Sequence, residues 1–194
     1  MLILKNLSKI LFVGRLIEKK GVEYLIKAIP YISAWNECKL IIVGKGFEED
    51  KLKKLVIDLD LENNVKFIGK VSRNKITKYF KSSDIFILPS IVDSKGEVET
   101  LGVVLIEAMA MGIPVIGSDI GGIPDVIDDS INGFLVEPKS ITDIADKVIK
   151  LLSDKKLRNK FIKNAKKKVK EKFDWNNIAL DIENVINEVI KWYQ

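Results

Sequence analysis

Histidine does not occur in the 194 residues, and cysteine occurs once, at Cys38. Those two absences exclude the usual ligand sets of a structural zinc site and any internal disulfide. The sequence also has no apolar run of the roughly twenty residues a membrane span needs, and no segment built like a secretory signal. Both features point to a chain that works in the cytoplasm. A further absence bears on cofactors. After the first apolar run the sequence reads Val13-Gly-Arg-Leu16, without the Gly-x-Gly-x-x-Gly that lets backbone approach a dinucleotide's pyrophosphate. A dinucleotide-dependent oxidoreductase is therefore disfavoured.

What the chain does contain is apolar residues at 47% and charged residues at 30%, with a net charge of +5. The apolar share and the length suit one well-buried domain. The modest basic excess favours anionic partners such as nucleotides, phosphates or an acidic membrane surface. Short apolar runs predict strands over 10–13, 39–43, 65–68, 84–89, 114–117 and 134–136. Between them, helical spacing predicts helices from 21–22 through 32, over 48–59 and 73–80, and from 101–102 to 111. Gly121-Gly122-Ile-Pro124 opens a short helix, and three more are expected over 141–152, 157–173 and 175–192. Alternation of strand and helix throughout is the pattern of an α/β fold: a single Rossmann-like, doubly wound parallel sheet with C-terminal helices.

The stretch from Asp84 to Asp125 organises the rest. Strand, loop, helix and strand follow one another within about 35 residues, a βαβ unit. The first turn of its helix leaves backbone N–H groups unpaired at the positive end of the dipole, so the amides of Leu101, Gly102 and Val103 form an anion site. Gly102 lets a phosphate or a sugar come close to the backbone. Glu99 stands just before that turn and Glu107 stands eight residues further on. Carboxylates repel a phosphate but accept hydrogen bonds from hydroxyls, so this combination fits a nucleotide-sugar better than a plain phosphate.

Other candidates lie at the ends of the earlier strands, where doubly wound folds bind ligands. In the loop Gly14-Arg-Leu-Ile-Glu-Lys-Lys-Gly21, Arg15 can hold a diphosphate by its fork of donors and Lys20 can add a point charge. On charge alone, both also read as ordinary loop cations. Gly44-Lys-Gly46 follows the second strand and is a candidate for backbone contact with a nucleotide, although any turn needs glycine. Gly69-Lys-Val-Ser72 turns into a helix with Ser72 as its expected N-cap. Asp58-Leu-Asp60 has the form of a metal-holding Asp-x-Asp, but it falls inside a predicted amphipathic helix and reads as solvated surface. The basic run over 163–172 is either a solvated helix face or a docking face for anionic lipid.

Glu99-Thr-Leu-Gly102, Glu107-Ala-Met-Ala110, Gly112-Ile-Pro-Val115, Gly121-Gly122-Ile-Pro124 and Asn132-Gly-Phe-Leu-Val136 together resemble the donor-binding, C-terminal half of retaining GT-B glycosyltransferases of the group-1 (family 4) type. The likeness runs from about residue 10 to 175, with the motifs in order. One departure is visible, since Thr100-Leu101-Gly102 stands where that family usually has Gly-Phe-Gly. The resemblance implies that Arg15 and Lys20 neutralise the departing diphosphate, together with Gly14 and the 101–103 amides. It implies that Glu99 holds the donor sugar, that Glu107 holds the ribose, and that the base lies near Lys70 and Val71. It further implies retention at the anomeric carbon with no metal and no cofactor, the nucleotide-sugar (UDP-, GDP- or ADP-linked) being a substrate. The expected acceptor is a glycan or a lipid-linked sugar, reached in the cytoplasm or at the inner face of the membrane, with no nucleic acid involved.

On this reading residues 1–174 form the nucleotide-sugar-binding domain. The helix over 175–194 is expected to pack on a missing N-terminal domain or a partner chain, without which the chain transfers sugar weakly or not at all. Two rival expectations are a catalytically silent nucleotide-sugar-binding subunit and half of a sugar-nucleotide epimerase.

Overall fold

The computed structural model describes residues 7–192; the first six and last two residues of the expected ranges 1–174 and 175–194 lie outside the described residues. Six apolar runs become strands: β1 (Ser8–Val13), β2 (Cys38–Val43), β3 (Val65–Gly69), β4 (Ile85–Leu88), β5 (Val115–Ser118) and β6 (Phe134–Val136). They hydrogen-bond in the order β3-β2-β1-β4-β5-β6, and every pairing is parallel. Strands covered on both faces need apolar side chains at successive positions rather than alternate ones. The unbroken Ile85-Phe-Ile-Leu88 of β4 meets that need and is buried throughout.

The intervening segments form α1 (Val22–Trp35), α2 (Glu49–Asp58), α3 (Arg73–Lys81), α4 (Val103–Met111) and the single turn α5 (Ile123–Val126). Then come α6 (Ile141–Ser153), α7 (Lys155–Lys172) and α8 (Trp175–Trp192). Parallel crossovers are right-handed, so helices carrying the chain outward from β1 and those carrying it outward from β4 fall on opposite faces of the sheet. Accordingly α1 packs with α2 and α6, while α4 packs with α3 and α7. Aromatic pairs tie helices to strands: Phe161 of α7 meets Phe134 of β6 edge-on at 4.9 Å between ring centroids, and Phe80 of α3 lies 5.7 Å from Phe86 of β4. Of the basic helix α7 only Phe161 and Ala165 are buried, with Val169 partly buried against the core.

Several boundaries differ from the expected ones for identifiable reasons. Asp84 lies outside β4, because its carboxylate accepts the Lys9 backbone N–H at 2.8 Å and anchors the strand's entrance. Helix α2 stops at Asp58 and Asp60 takes a left-handed φ of 54°, so Asp58-Leu-Asp60 straddles the helix end instead of lying within it. Both carboxylates are exposed, as a solvated surface requires. Ser72 occupies the N-cap of α3, but its side chain makes no capping bond. Side-chain caps are made by Ser140, Asp154 and Asp174, which accept from Asp143 N at 3.3 Å, Leu157 N at 2.9 Å and Asn176 N at 2.9 Å.

Helix α8 leaves Leu180, Ile182, Val185, Ile186, Val189 and Ile190 each at least half exposed. Among the described residues no helix is long and apolar enough to cross a membrane. Burial pushes the Cys38 thiol up from its ordinary value, a rise only partly offset by the Ser33 hydroxyl 3.3 Å away.

Two outcomes follow. Phe161→Ala opens a cavity between α7 and β6 and is expected to lower stability by about 3–5 kcal/mol in urea unfolding. Cys38, buried and with a raised pKa, stays protonated in mildly alkaline solution. It should therefore react with a thiol-disulfide reagent at pH 8 only after denaturant unfolds the chain.

Candidate functional site

Strand order reverses between β1 and β4, and at such a point the loops leaving the two strands diverge and open a crevice at their carboxyl ends. Here the loop after β1 and the loop after β4 are fastened across that crevice. Residues Glu18–Lys20 form one short 3-10 turn, and each grips the β4 loop. The Glu18 carboxylate accepts from Ser94 Oγ at 2.6 Å and from Ser94 N at 3.1 Å. Lys19 Nζ donates to Glu97 Oε2 at 2.9 Å, and Lys20 Nζ donates to Glu99 Oε2. A backbone bond from Ile91 N to Lys19 O, 2.9 Å long, completes the clasp. Gly21, at φ 62°, lets the chain turn away into α1; a Cβ there would lie 1.9 Å from the Pro89 carbonyl oxygen. On the first turn of α1, Glu23 is held below the usual carboxylate range by a hydrogen bond from Lys27, with Lys51 of α2 adding to the effect against the opposing pull of burial.

The β5–α5 turn supports Glu99 from below. Gly122 N donates to Glu99 O at 3.1 Å. A Cβ at Gly121 would stand 2.0 Å from the Glu99 carbonyl oxygen, and one at Gly122 would stand 1.8 Å from that of Thr100. Two glycines in a row are what this contact between backbones requires. Thr100 itself takes no positive φ, so the residue that replaces the family's usual glycine sits there without backbone strain.

Above this shelf opens a cleft of about 650 Å³, of the size that holds a small-molecule ligand. It is lined by Gly14, Arg15, Lys20, Glu99, Leu101, Gly102, Val103 and Glu107 from the expected set. Val13, Lys19, Thr100 and Val104 also line it, although the sequence reading did not select them. Lys19 was within reach of that reading, being the first lysine of the Lys-Lys-Gly run. The helix expected to open at 101–102 begins at Val103. Gly102 is the left-handed N-cap of α4 and its carbonyl takes the Leu105 N–H at 2.7 Å. The first-turn amides without an intrahelical acceptor are therefore those of Val103 and Val104. Leu101 precedes the helix and contributes to the wall.

Four expected residues stand outside the cleft. Gly44 spends its N–H on Gly69 O at 3.0 Å, and a Cβ there would lie 1.8 Å from Gly14 O. At Gly46 a Cβ would lie 2.1 Å from Leu16 O. These glycines shape the Gly14–Leu16 backbone by letting another loop press against it, and they do not line the cleft. Lys70 is exposed and Val71 packs against the core, both in the turn before α3. Next to the cleft lies an apolar hollow of about 260 Å³ between α3 and α4, bounded by Ile76, Phe80 and Met111. Glu107 lines both the cleft and the hollow. Among the described residues no group of three or more acidic, histidine or cysteine side chains is arranged to hold a metal.

Residues 2–168 match the family described as glycosyl transferases group 1. The chain belongs to that family. A relative, an uncharacterized glycosyltransferase of Methanocaldococcus jannaschii, is 42% identical over 176 residues, covering 91% of this chain and 44% of the relative. The C-terminal domain of a group 1 glycosyl transferase from Francisella tularensis superposes with a TM-score of 0.76 at 32% identity, covering 87% of each chain. HepE of Anabaena, solved in complex with UDP, superposes with a TM-score of 0.83 at 26% identity, over 94% of this chain and 49% of that one. The fold is thus that of one half of a GT-B glycosyltransferase, and the chain spans about half the length of the curated relatives it matches.

One substitution tests the shelf. Gly122→Ala places a methyl group against the Thr100 carbonyl, and the Glu99–Gly102 backbone must move to admit it. The expected cost is about 1–3 kcal/mol in urea unfolding, together with a loss of clasp protection in hydrogen exchange at Ile91 N and Ser94 N.

Proposed function

We propose that this domain binds a nucleotide-diphospho-sugar and presents it for metal-independent, retaining transfer of the sugar to an acceptor hydroxyl. The observation that carries the reading is the make-up of the cleft, which brings Arg15, Lys19, Lys20 and the α4 amide terminus together with Glu99 and Glu107. The cations and amides suit a diphosphate, and the carboxylates suit hydroxyl groups at its two ends.

In this reading the diphosphate lies against Arg15, Lys20 and the amides of Val103 and Val104. As the bond between the anomeric carbon and the diphosphate oxygen breaks, charge builds on the leaving group, and these donors stabilise it without having to reorganise. Each charge-assisted hydrogen bond is worth about 1.5–3 kcal/mol. Glu99 accepts hydrogen bonds from the sugar and Glu107 from the ribose. Because Glu107 also borders the apolar hollow, the base is directed toward α3, on the side that Lys70 and Val71 precede. The acceptor oxygen attacks from the face the diphosphate leaves, which gives retention, and its proton departs with the leaving group.

A second domain would bring the acceptor. The exposed apolar face of α8 is the surface that would meet it, since water-facing Ile and Val at helical spacing are unusual on a finished surface. The acceptor is a glycan or a lipid-linked sugar, and the reaction takes place at the cytoplasmic side.

Thermal unfolding tests the donor site. UDP, GDP and ADP, each with EDTA present, are expected to include one that stabilises the chain by about 2.7 kcal/mol at a hundred times its dissociation constant. Arg15→Ala and Glu107→Gln should each remove most of that stabilisation. A shift that requires added magnesium counts against the metal-free site, and no shift with any nucleotide counts against the donor reading itself.

A further inference from the structure

Without ligand, two groups assigned to different ends of the donor are bound to each other. Lys20 Nζ, assigned to the diphosphate, donates to Glu99 Oε2, assigned to the sugar, and each side chain is 13% exposed. The same carboxylate oxygen takes the hydroxyl of Ser90, a fully buried residue, at 3.5 Å. Arg15 lines the same cleft without an ion-pair partner among the described residues. The flanking rungs, Glu18 with Ser94 and Lys19 with Glu97, tie the two loops together beside this pair, so a ligand that engages Lys20 does so next to Glu99.

We propose that the Lys20–Glu99 pair makes the cleft discriminate the intact nucleotide-sugar from the nucleoside diphosphate it yields. This rests on the donor-site reading above and assigns a specificity role to one contact within it. Any phosphate that engages Lys20 takes the cation away from Glu99 and comes to rest beside it. A shielded carboxylate without a partner is costly, and the two ligands answer that cost differently. The nucleotide-sugar brings hydroxyl groups, which donate hydrogen bonds to Glu99. The bare diphosphate brings a terminal phosphate, anhydride-linked and free of any ester, whose second ionisation falls at a pKa of about 6, and so adds further negative charge at neutral pH next to the carboxylate. Glu99 thus favours the donor and disfavours the product through a single charge, and product release is assisted by the residue that held the sugar.

Calorimetric titration of UDP against UDP-glucose, and of GDP against GDP-mannose, reads the effect as a ratio of affinities. In Glu99→Gln, Lys20 is free before binding and the repulsive charge is gone. Affinity for the diphosphate rises, affinity for the nucleotide-sugar does not, and their ratio falls about tenfold, which corresponds to 1.4 kcal/mol. Glu97→Gln removes a charge from the same loop and frees Lys19 instead of Lys20, so it shifts the affinities for both ligands together and leaves their ratio as it was. On the wild type, the β-methyl ester of the diphosphate, which lacks both the terminal charge and the sugar, binds more tightly than the diphosphate. This last measurement needs no variant to fold. The proposal is overturned if Glu99→Gln leaves the ratio unchanged, if Glu97→Gln lowers it equally, or if the methyl ester binds no better than the diphosphate. Binding of both ligands with an unchanged ratio sinks this inference alone, whereas binding of neither to any form sinks the donor-site reading with it.

Discussion

Where a parallel sheet reverses its winding, two adjacent strands send their chains to opposite faces, and no connecting segment spans the gap between their carboxyl ends. The rest of this structure depends on how that gap between β1 and β4 is bridged. It is bridged by side chains at the rim and by bare backbone below. Three successive residues of one turn reach across to the β4 loop, and beneath them Gly21 meets the Pro89 carbonyl; from the β5 side, Gly121 and Gly122 support the same loop at the Glu99 and Thr100 carbonyls. The bonds across the rim are mostly exposed and individually weak. Their effect is geometric: the two loops form one wall of the cleft that Arg15, Lys20 and the head of α4 share.

Much of this arrangement was legible in the sequence because its causes are local. A strand buried on both faces must be apolar at successive positions, so β4 and the apolar runs 10–13 of β1 and 40–43 of β2 announce themselves. A helix that ends at Gly112 with Pro114 beyond it can hardly be read otherwise, and the eight-residue step from Glu99 to Glu107 puts both carboxylates near one helix. The family likeness added roles that periodicity could not supply.

What escaped the sequence was non-local. Nothing along the chain says that Lys20 pairs with a glutamate 79 positions away, or that Gly44 exists to accommodate the Gly14 carbonyl. Gly44 and Gly46 looked like ligand contacts because glycine tolerates any close approach, and the sequence cannot say whether the approaching group is a phosphate or another loop. Ser72 shows the opposite limit. Its position at the head of α3 was read correctly, yet its hydroxyl makes no capping bond, since side-chain orientation is settled by neighbours that periodicity does not reveal.

The glycine shelf also bears on how this site can change over evolutionary time. Gly121 and Gly122 press on main-chain oxygens, which all twenty amino acids carry alike, so the support they give does not depend on which side chain stands at position 100. That position is exposed and adopts an ordinary backbone conformation. A glycine there can thus be exchanged for threonine without disturbing Glu99, while either glycine of the shelf is held in place by sterics. The rim of the cleft can thus change its side chain at this position on a floor that stays the same.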